Sequence, residues 1–319
     1  MKASSRASNG RQGKGTRRAT PRSPSCNKGK GRTIFISAEA GIGKTRLVTE
    51  FLNSVKKENI TKLSGWCLFN AGVPYFPFIE AFSNYYSTLG GKGSREESEL
   101  NSWLKEPAKA ELSGQLQYLN PQALKDKTFA VVAKAIHSIA AKNPVVLVVE
   151  DIHWADSASL ALLHYVARAV RNSERVLVLA TFRSEELTND SEGYPHQLAV
   201  TLAMMRREDL FETISLPHLN PSGVTKIIES MLGGGLERSF AEKLFVESEG
   251  NPLFVVESLR MLNEQNKLIK DKNGWRLAAD KLGIPSKFTG IGCSGCQYKA
   301  GSYCWGQCTF NIWKRKPDW

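Results

Sequence analysis

Apolar residues recur along this chain with two alternating periods, one suited to strands and one to helices. Thr33 to Ser37 is a short apolar run, followed by a glycine-bearing loop and then by Leu47, Val48 and Phe51 at helical spacing. Ile60 to Cys67 is a second, partly apolar run; past a loop with Pro74, Tyr75 and Pro77, a helix is expected from Phe78 towards Tyr86. Gly90 to Ser94 reads as a loop, weaker helical patterns cover 96–124, and Phe129 to Ala141 is clearly amphipathic through Val132, Ile136 and Ile139. Val145 to Val149 is apolar at every position, as a parallel strand buried on both faces must be. A helix over Ser157 to Val170, a strand over Arg175 to Thr181, a helix near His196 to Arg207 and a strand over Phe211 to Leu216 continue the alternation. Such a pattern predicts the α/β class, a parallel sheet flanked by helices. After Leu216 the pattern is helical only: Pro221 to Met231, closed by Gly233-Gly234-Gly235, then Phe240 to Ser248, a Gly250-Asn251-Pro252 break, and Leu253 to Glu264. A small all-α second unit is expected there.

The loop after the first strand carries the first chemistry. Ala38, Glu39, Ala40, Gly41, Ile42, Gly43, Lys44 and Thr45, with Arg46 next, read as a phosphate-binding loop opening a helix. Gly41 and Gly43 let the backbone curl so that its N–H groups face a polyphosphate at a helix N-terminus, whose dipole favours anions. Lys44 is positioned to reach the terminal phosphates, and the Thr45 hydroxyl to join a Mg²⁺ shell. Ala38 stands where the usual pattern has its first glycine, which is tolerable if its φ is negative.

A hundred residues on, Glu150-Asp151 ends the apolar strand, and the carboxyl ends of parallel strands are where ligand groups emerge. Paired acids there suit a nucleotide-triphosphate site: Glu150 as the Mg²⁺-side acid, where Asp is more usual, and Asp151 as the base that activates water. Asp156 is the candidate N-cap of the following helix. Arg183 ends the next strand, where it can sense a γ-phosphate. The Gly250-Asn251-Pro252 turn suits contact with an adenine ring and, on spacing alone, a helix-helix corner equally. Arg206 and Arg207 end a helix, as solvated residues or as fingers on a neighbour's nucleotide.

Net charge is +12 over 319 residues. The surplus lies at the ends: Lys and Arg recur from Lys2 to Arg32 with no acid between them, and Lys287, Lys299, Lys314, Arg315 and Lys316 face Asp318 alone. The region between is slightly acidic, so the basicity belongs to tails rather than to a folded face. Nucleic acid is a conceivable partner for the basic arm, but a solvated tail is favoured. Cys293, Cys296, Cys304 and Cys308 form C-x2-C-x7-C-x3-C. The first pair has the spacing of half a zinc site, the second fits less well, and the abrupt change of composition after Phe288 favours an unstructured tail. The apolar runs are too short to span a membrane, and the N-terminus has no signal-like apolar region, so a cytoplasmic protein is expected.

Together, AEAGIGKTRLV, GVPYFPFIEAF, LVVEDIHWADSASLALL, LVLATFRSEEL and SEGNPLFVVESL resemble the AAA ATPase domain of signal-transduction NTPases with numerous domains (the STAND class). These origin-recognition-like domains occur in LuxR-type transcription regulators, adenylate/guanylate cyclases and serine/threonine kinases. The resemblance covers roughly residues 30–286. It implies a P-loop NTPase core and helical lid that clamp ATP and Mg²⁺ as a regulatory switch with slow hydrolysis. Lys44 and Thr45 would hold phosphate and Mg²⁺, Glu150 and Asp151 form the acidic pair, Arg183 be the sensor and Pro252 the adenine-side contact. His153, Trp154 and Asp156 match the HWAD signature, to which a structural or signalling role is given.

The segment that usually precedes the loop in this class is missing, and similarity stops at Phe288, so a truncated or frameshifted member is expected. The expected division is a basic arm (1–32), a P-loop ATPase core (33–216), a helical lid (217–265), the start of a winged helix (266–288) and a Cys-rich tail (289–319). The expected partners are ATP or ADP, with protein partners or self-association open and no membrane. A DNA-binding origin-recognition-like ATPase and a non-hydrolysing nucleotide-dependent scaffold are the alternative functions.

Overall fold

The computed structural model describes residues 31–55, 59–69, 73–89, 100, 121–171, 175–189, 192–271 and 274–278. The basic arm up to residue 30, the Gly90 to Ser94 loop, most of the 96–124 helical pattern and the cysteine tail lie outside the described residues.

Five strands form one parallel sheet: β1 (Arg32–Ser37), β2 (Thr61–Trp66), β3 (Val145–Glu150), β4 (Val176–Phe182) and β5 (Glu212–Ser215), in the spatial order β2-β3-β4-β1-β5. Alternate residues of the central strands go to opposite faces, and both faces are buried. Phe35, Leu147, Val149, Val178 and Ala180 join a core with four helices: α2 (Phe76–Thr88), α3 (Pro121–Lys142), α4 (Ser157–Val170) and α5 (Gln197–Arg207). On the other face Ile34, Ile36, Val146, Val148 and Leu179 pack against Val48, Phe51 and Leu52 of α1 (Lys44–Ser54). This double burial is why β3 is apolar from Val145 to Val149. Edge strand β5 is exposed along its length, and its Glu212 pairs with Arg32 beside it on β1.

Two helices begin earlier than their apolar patterns. Tyr75 takes a left-handed conformation (φ 61°) and turns the chain so that α2 starts at Phe76 with Pro77 in its first turn. In α3, Gln122, Asp126 and Lys127 face solvent, so its first turns have no apolar stripe; Gln122 instead donates to Asp126 at 2.8 Å.

A second unit follows the sheet: α6 (Pro221–Leu232), α7 (Arg238–Ser248) and α8 (Pro252–Glu264), packed through Val224, Ile228, Phe240, Leu244, Val255 and Leu259. Asn220 caps α6 and Asn251 caps α8, each through its side-chain oxygen, with Pro following in both. Past the three helices the chain turns into strand. Leu268–Asp271 (β6) and Gly274–Leu277 (β7) pair as an antiparallel hairpin closing its base, with Trp275 Nε1 donating to the Leu232 carbonyl at 2.9 Å. Gly274 is required there, because its φ is 117° and a Cβ would lie 2.4 Å from the Gly235 carbonyl oxygen. The stretch expected to start a winged helix is, as far as Ala278, this hairpin; 279–288 lie outside the described residues.

Candidate functional site

The loop between β1 and α1 lies at the carboxyl edge of the sheet. Gly43 precedes α1 with φ 106°, and Gly41 has φ 82°, conformations that favour glycine. Ala38 is absent from the positive-φ residues, the condition under which alanine fits its position, and it is buried. Its carbonyl accepts a hydrogen bond from Lys44 Nζ at 2.7 Å, and the Glu39 carbonyl accepts another at 3.0 Å. Two of the three ammonium N–H groups thus hold the loop's own curl. Burial lowers the Lys44 pKa, while Asp151, Glu185 and Glu39 oppose the shift. Ile42 is buried, whereas the Arg46 side chain runs along α1 to pair with Glu50 at 2.8 Å.

Strand β4 lies between β1 and β3, yet the first turn of α1 is joined to the end of β3. Thr45 Oγ1 donates to Glu150 Oε2 at 2.9 Å across a separation of 105 residues. Burial raises the Glu150 pKa, the Thr45 hydrogen bond opposes this, and Asp151 adds to it. The next residue, Asp151, has left the strand: its φ is 54°, and its N–H donates to Thr181 Oγ1 of β4 at 3.0 Å. Burial raises the Asp151 pKa too, and the charges of Arg183 and Lys44 work against it.

A short 3₁₀ turn, Ile152–Trp154, then leads to Asp156, which caps α4 by accepting from the Ser159 N–H at 2.9 Å. His153 is buried and its pKa is pushed down to about 3, chiefly by desolvation, so the ring is neutral. Its Nδ1 accepts the Arg183 N–H at 3.4 Å; its Nε2 has no partner among the described residues. The Arg183 guanidinium lies over Trp154, 5.0 Å from the ring centroid, and pairs with Glu186 at 3.5 Å. Arg206 is stacked over Phe211 of its own core at 5.8 Å.

The helical unit meets the loop directly. Asn251 Nδ2 donates to the Ala40 carbonyl at 3.0 Å, and the Leu253 N–H donates to the Gly41 carbonyl at 3.3 Å. A Cβ on Gly41 would lie 2.7 Å from Asn251 Oδ1, so the close approach also demands glycine. Pro252 is buried at the first position of α8. Beside this contact, His218 Nδ1 donates to the Glu249 carbonyl at 2.8 Å while Nε2 meets Glu39 Oε2 at 3.2 Å. The Glu249 hydrogen bond and the Glu39 carboxylate raise the His218 pKa.

The fold therefore gathers Ala38 to Thr45, Glu150, Asp151, Arg183 and the Gly-Asn-Pro turn at one edge of the sheet, leaving the Arg46 side chain on the outer face of α1. Two further residues, Glu185 and His218, carry no signal in the sequence, and Asn251 enters there only as part of the Gly-Asn-Pro turn. Glu185 accepts the Ala40 N–H at 2.7 Å, and His218 and Asn251 bind the loop from the helical unit. Glu185 and His218 act over separations of 145 and 179 residues.

Thr45 and Glu150 offer hard oxygen donors 2.9 Å apart, the donor type Mg²⁺ selects. Among the described residues no three His, Cys, Asp or Glu side chains cluster as a metal site. Mg²⁺ with phosphate and water completing its shell fits this donor set better than an all-protein cage. No helix among the described residues is long and apolar enough to cross a membrane.

Residues 24–179, just under half of the chain, match the family model of the AAA ATPase domain. An uncharacterised protein of Rhizobium meliloti (strain 1021) is 26% identical over 168 residues, which is 47% of this chain and 16% of that protein. The chain thus spans a small part of that relative's length. The Orc1 protein of Aeropyrum pernix, solved in complex with DNA, is 14% identical, with 73% of this chain and 54% of that one covered and a TM-score of 0.43. Cdc6p from Pyrobaculum aerophilum is 11% identical, with 75% and 57% covered and a TM-score of 0.45. The parallel sheet, its flanking helices and the loop before Lys44 give the chain the P-loop NTPase fold, with an AAA ATPase domain matched over residues 24–179.

Proposed function

We propose that this chain is the ATP-operated switch module of a signal-transduction protein of the STAND class, binding ATP with Mg²⁺ and hydrolysing it slowly. The observation that carries the reading is the 2.9 Å hydrogen bond from Thr45 to Glu150, which joins the phosphate loop to the acidic strand end. Asp151 and Arg183 flank that junction, and the helical unit closes on the loop.

In this reading the loop amides and Lys44 bind the phosphates, with the α1 N-terminus adding its dipole. Thr45 and Glu150 would hold Mg²⁺, which when bound supplies charge neutralisation between phosphate oxygens. Asp151 takes the proton of the attacking water. Its raised pKa brings its basicity nearer to neutrality, while Arg183 and Lys44 keep the carboxylate form accessible. Arg183 reads the γ-phosphate and Pro252 borders the adenine side. The helical unit, tied to loop carbonyls, converts a change in the loop into movement of the downstream chain.

The test is nucleotide binding and turnover by the purified chain. Lys44→Ala is expected to abolish ATP binding, and Asp151→Asn to keep ATP while losing hydrolysis. Normal turnover by the Asp151 variant would refute its role as base. ATP binding without turnover in the unaltered chain would identify a nucleotide-dependent scaffold instead.

A further inference from the structure

We propose that Trp154 is a positioning residue for Arg183, its indole face fixing the direction in which the guanidinium points. The inference rests on the reading of Arg183 as the γ-phosphate sensor and supplies what that role requires, a fixed aim.

A sensor arginine has a long, flexible side chain, and without a guide it would sample many directions. Here both of its ends are held by one short turn. The Arg183 N–H donates to His153 Nδ1 at 3.4 Å, and the guanidinium lies over the adjacent Trp154 ring at 5.0 Å. His153 has a fully buried side chain and its ring is tilted against Trp154 at 4.7 Å, so the histidine anchors both the arginine backbone and the shelf under its charge. On its other side Trp154 meets Phe69 edge to face, ring centroids 6.3 Å apart. Asp156 caps α4 and fixes the far end of the turn. Glu186 binds the guanidinium at 3.5 Å but is itself half exposed, so it restrains less than the ring does. A planar cation over an indole is held in orientation as well as in place, which an ion pair to a mobile carboxylate does not achieve. The charge so aimed is felt by both Lys44 and Asp151, on the two sides of the phosphate site. The HWAD segment thereby gains a role: it orients the sensor.

The experiment measures the affinities of the full chain for ATP and ADP by calorimetry in Mg²⁺, expressed as the ratio of the ADP to the ATP Kd. Trp154→Leu is expected to lower that ratio about tenfold, the size of a partly desolvated cation–π contact, while ADP affinity stays unchanged. Trp154→Phe is expected to retain most of the discrimination. Arg183→Ala removes it, and the Trp154→Leu/Arg183→Ala double variant should be no worse than Arg183→Ala alone. A second measurement leaves Trp154 in place: ATP should change tryptophan emission in the unaltered chain more than ADP does, and Arg183→Ala should abolish the difference. Additive losses in the double variant, equal loss of ADP and ATP affinity, or an ATP-specific emission change that survives Arg183→Ala would overturn the inference. A chain that binds neither nucleotide would instead overturn the reading of the site as a whole.

Discussion

Asn251 shows how much one side chain contributes at this site. Its Nδ2 donates to the Ala40 carbonyl in a partly buried contact, while its Oδ1 accepts the Leu253 N–H in a buried one. Asn251→Ala takes the side-chain donor from the Ala40 carbonyl and leaves the Leu253 N–H only its longer bond to the Gly41 carbonyl, a cost of about 1–3 kcal/mol. Under the proposed function, a loss of that size weakens ATP binding about tenfold, measurable by calorimetry beside a denaturation curve. Asn251→Asp should be worse than Asn251→Ala, because it not only loses the donor but sets a carboxylate oxygen against the Ala40 carbonyl oxygen, two acceptors face to face. At Asp151 the expected effect is on pH dependence. Burial raises its pKa above the ordinary aspartate value, so the acid limb of kcat/KM should lie above pH 3.8 and activity should fall as pH drops through it. A limb at or below the ordinary aspartate value would refute the assignment of Asp151 as the titrating base.

Among the elements, the contact of α2 with β2 is the least forgiving. A Cβ on Gly65 would lie 1.8 Å from the Pro77 carbonyl oxygen, a backbone atom that cannot step aside. Gly65→Ala must therefore push the start of α2 off the strand, against Phe78 and Phe82 in the core and Glu80, which accepts the Trp66 N–H at 2.9 Å. We expect a loss of about 3 kcal/mol or more, read from urea denaturation. Elements of this kind were legible in the sequence to different degrees. β3 was plain because a strand covered on both faces tolerates only apolar residues, and α4 because its apolar stripe begins one turn past a capping Asp156. The turn of α3 over 125–128 was not, since it falls between the two helical patterns and its Asp126 and Lys127 face solvent. The β6–β7 hairpin was missed because its strands are four residues each and owe their stability to Trp275 packing on the helical unit. The motif residues of the site could be identified from spacing, whereas Glu185 and His218 carry no local pattern and meet the loop only through the fold.

At the scale of the whole molecule, two units meet across a small polar contact, and His218 makes part of it titratable. Its folded pKa is raised above the ordinary 6.5, so its contribution is fully present below about pH 6.5 and is lost as pH rises through the raised value. Hydrogen exchange of the loop amides should therefore quicken with pH more steeply, after correction for intrinsic chemistry, than in His218→Ala; equal slopes would remove His218 from the contact. The other bonds across it end on the carbonyls of Ala40 and Gly41. A peptide unit is a rigid plate, so gripping a carbonyl also sets the heading of the N–H on the opposite edge, here those of Gly41 and Ile42. The helical unit thus acts as a jig for amides it never touches. A fragment ending at Leu216 would keep every residue of the phosphate-loop motif and lose its alignment, and weak nucleotide binding by such a fragment would describe the missing jig rather than the motif.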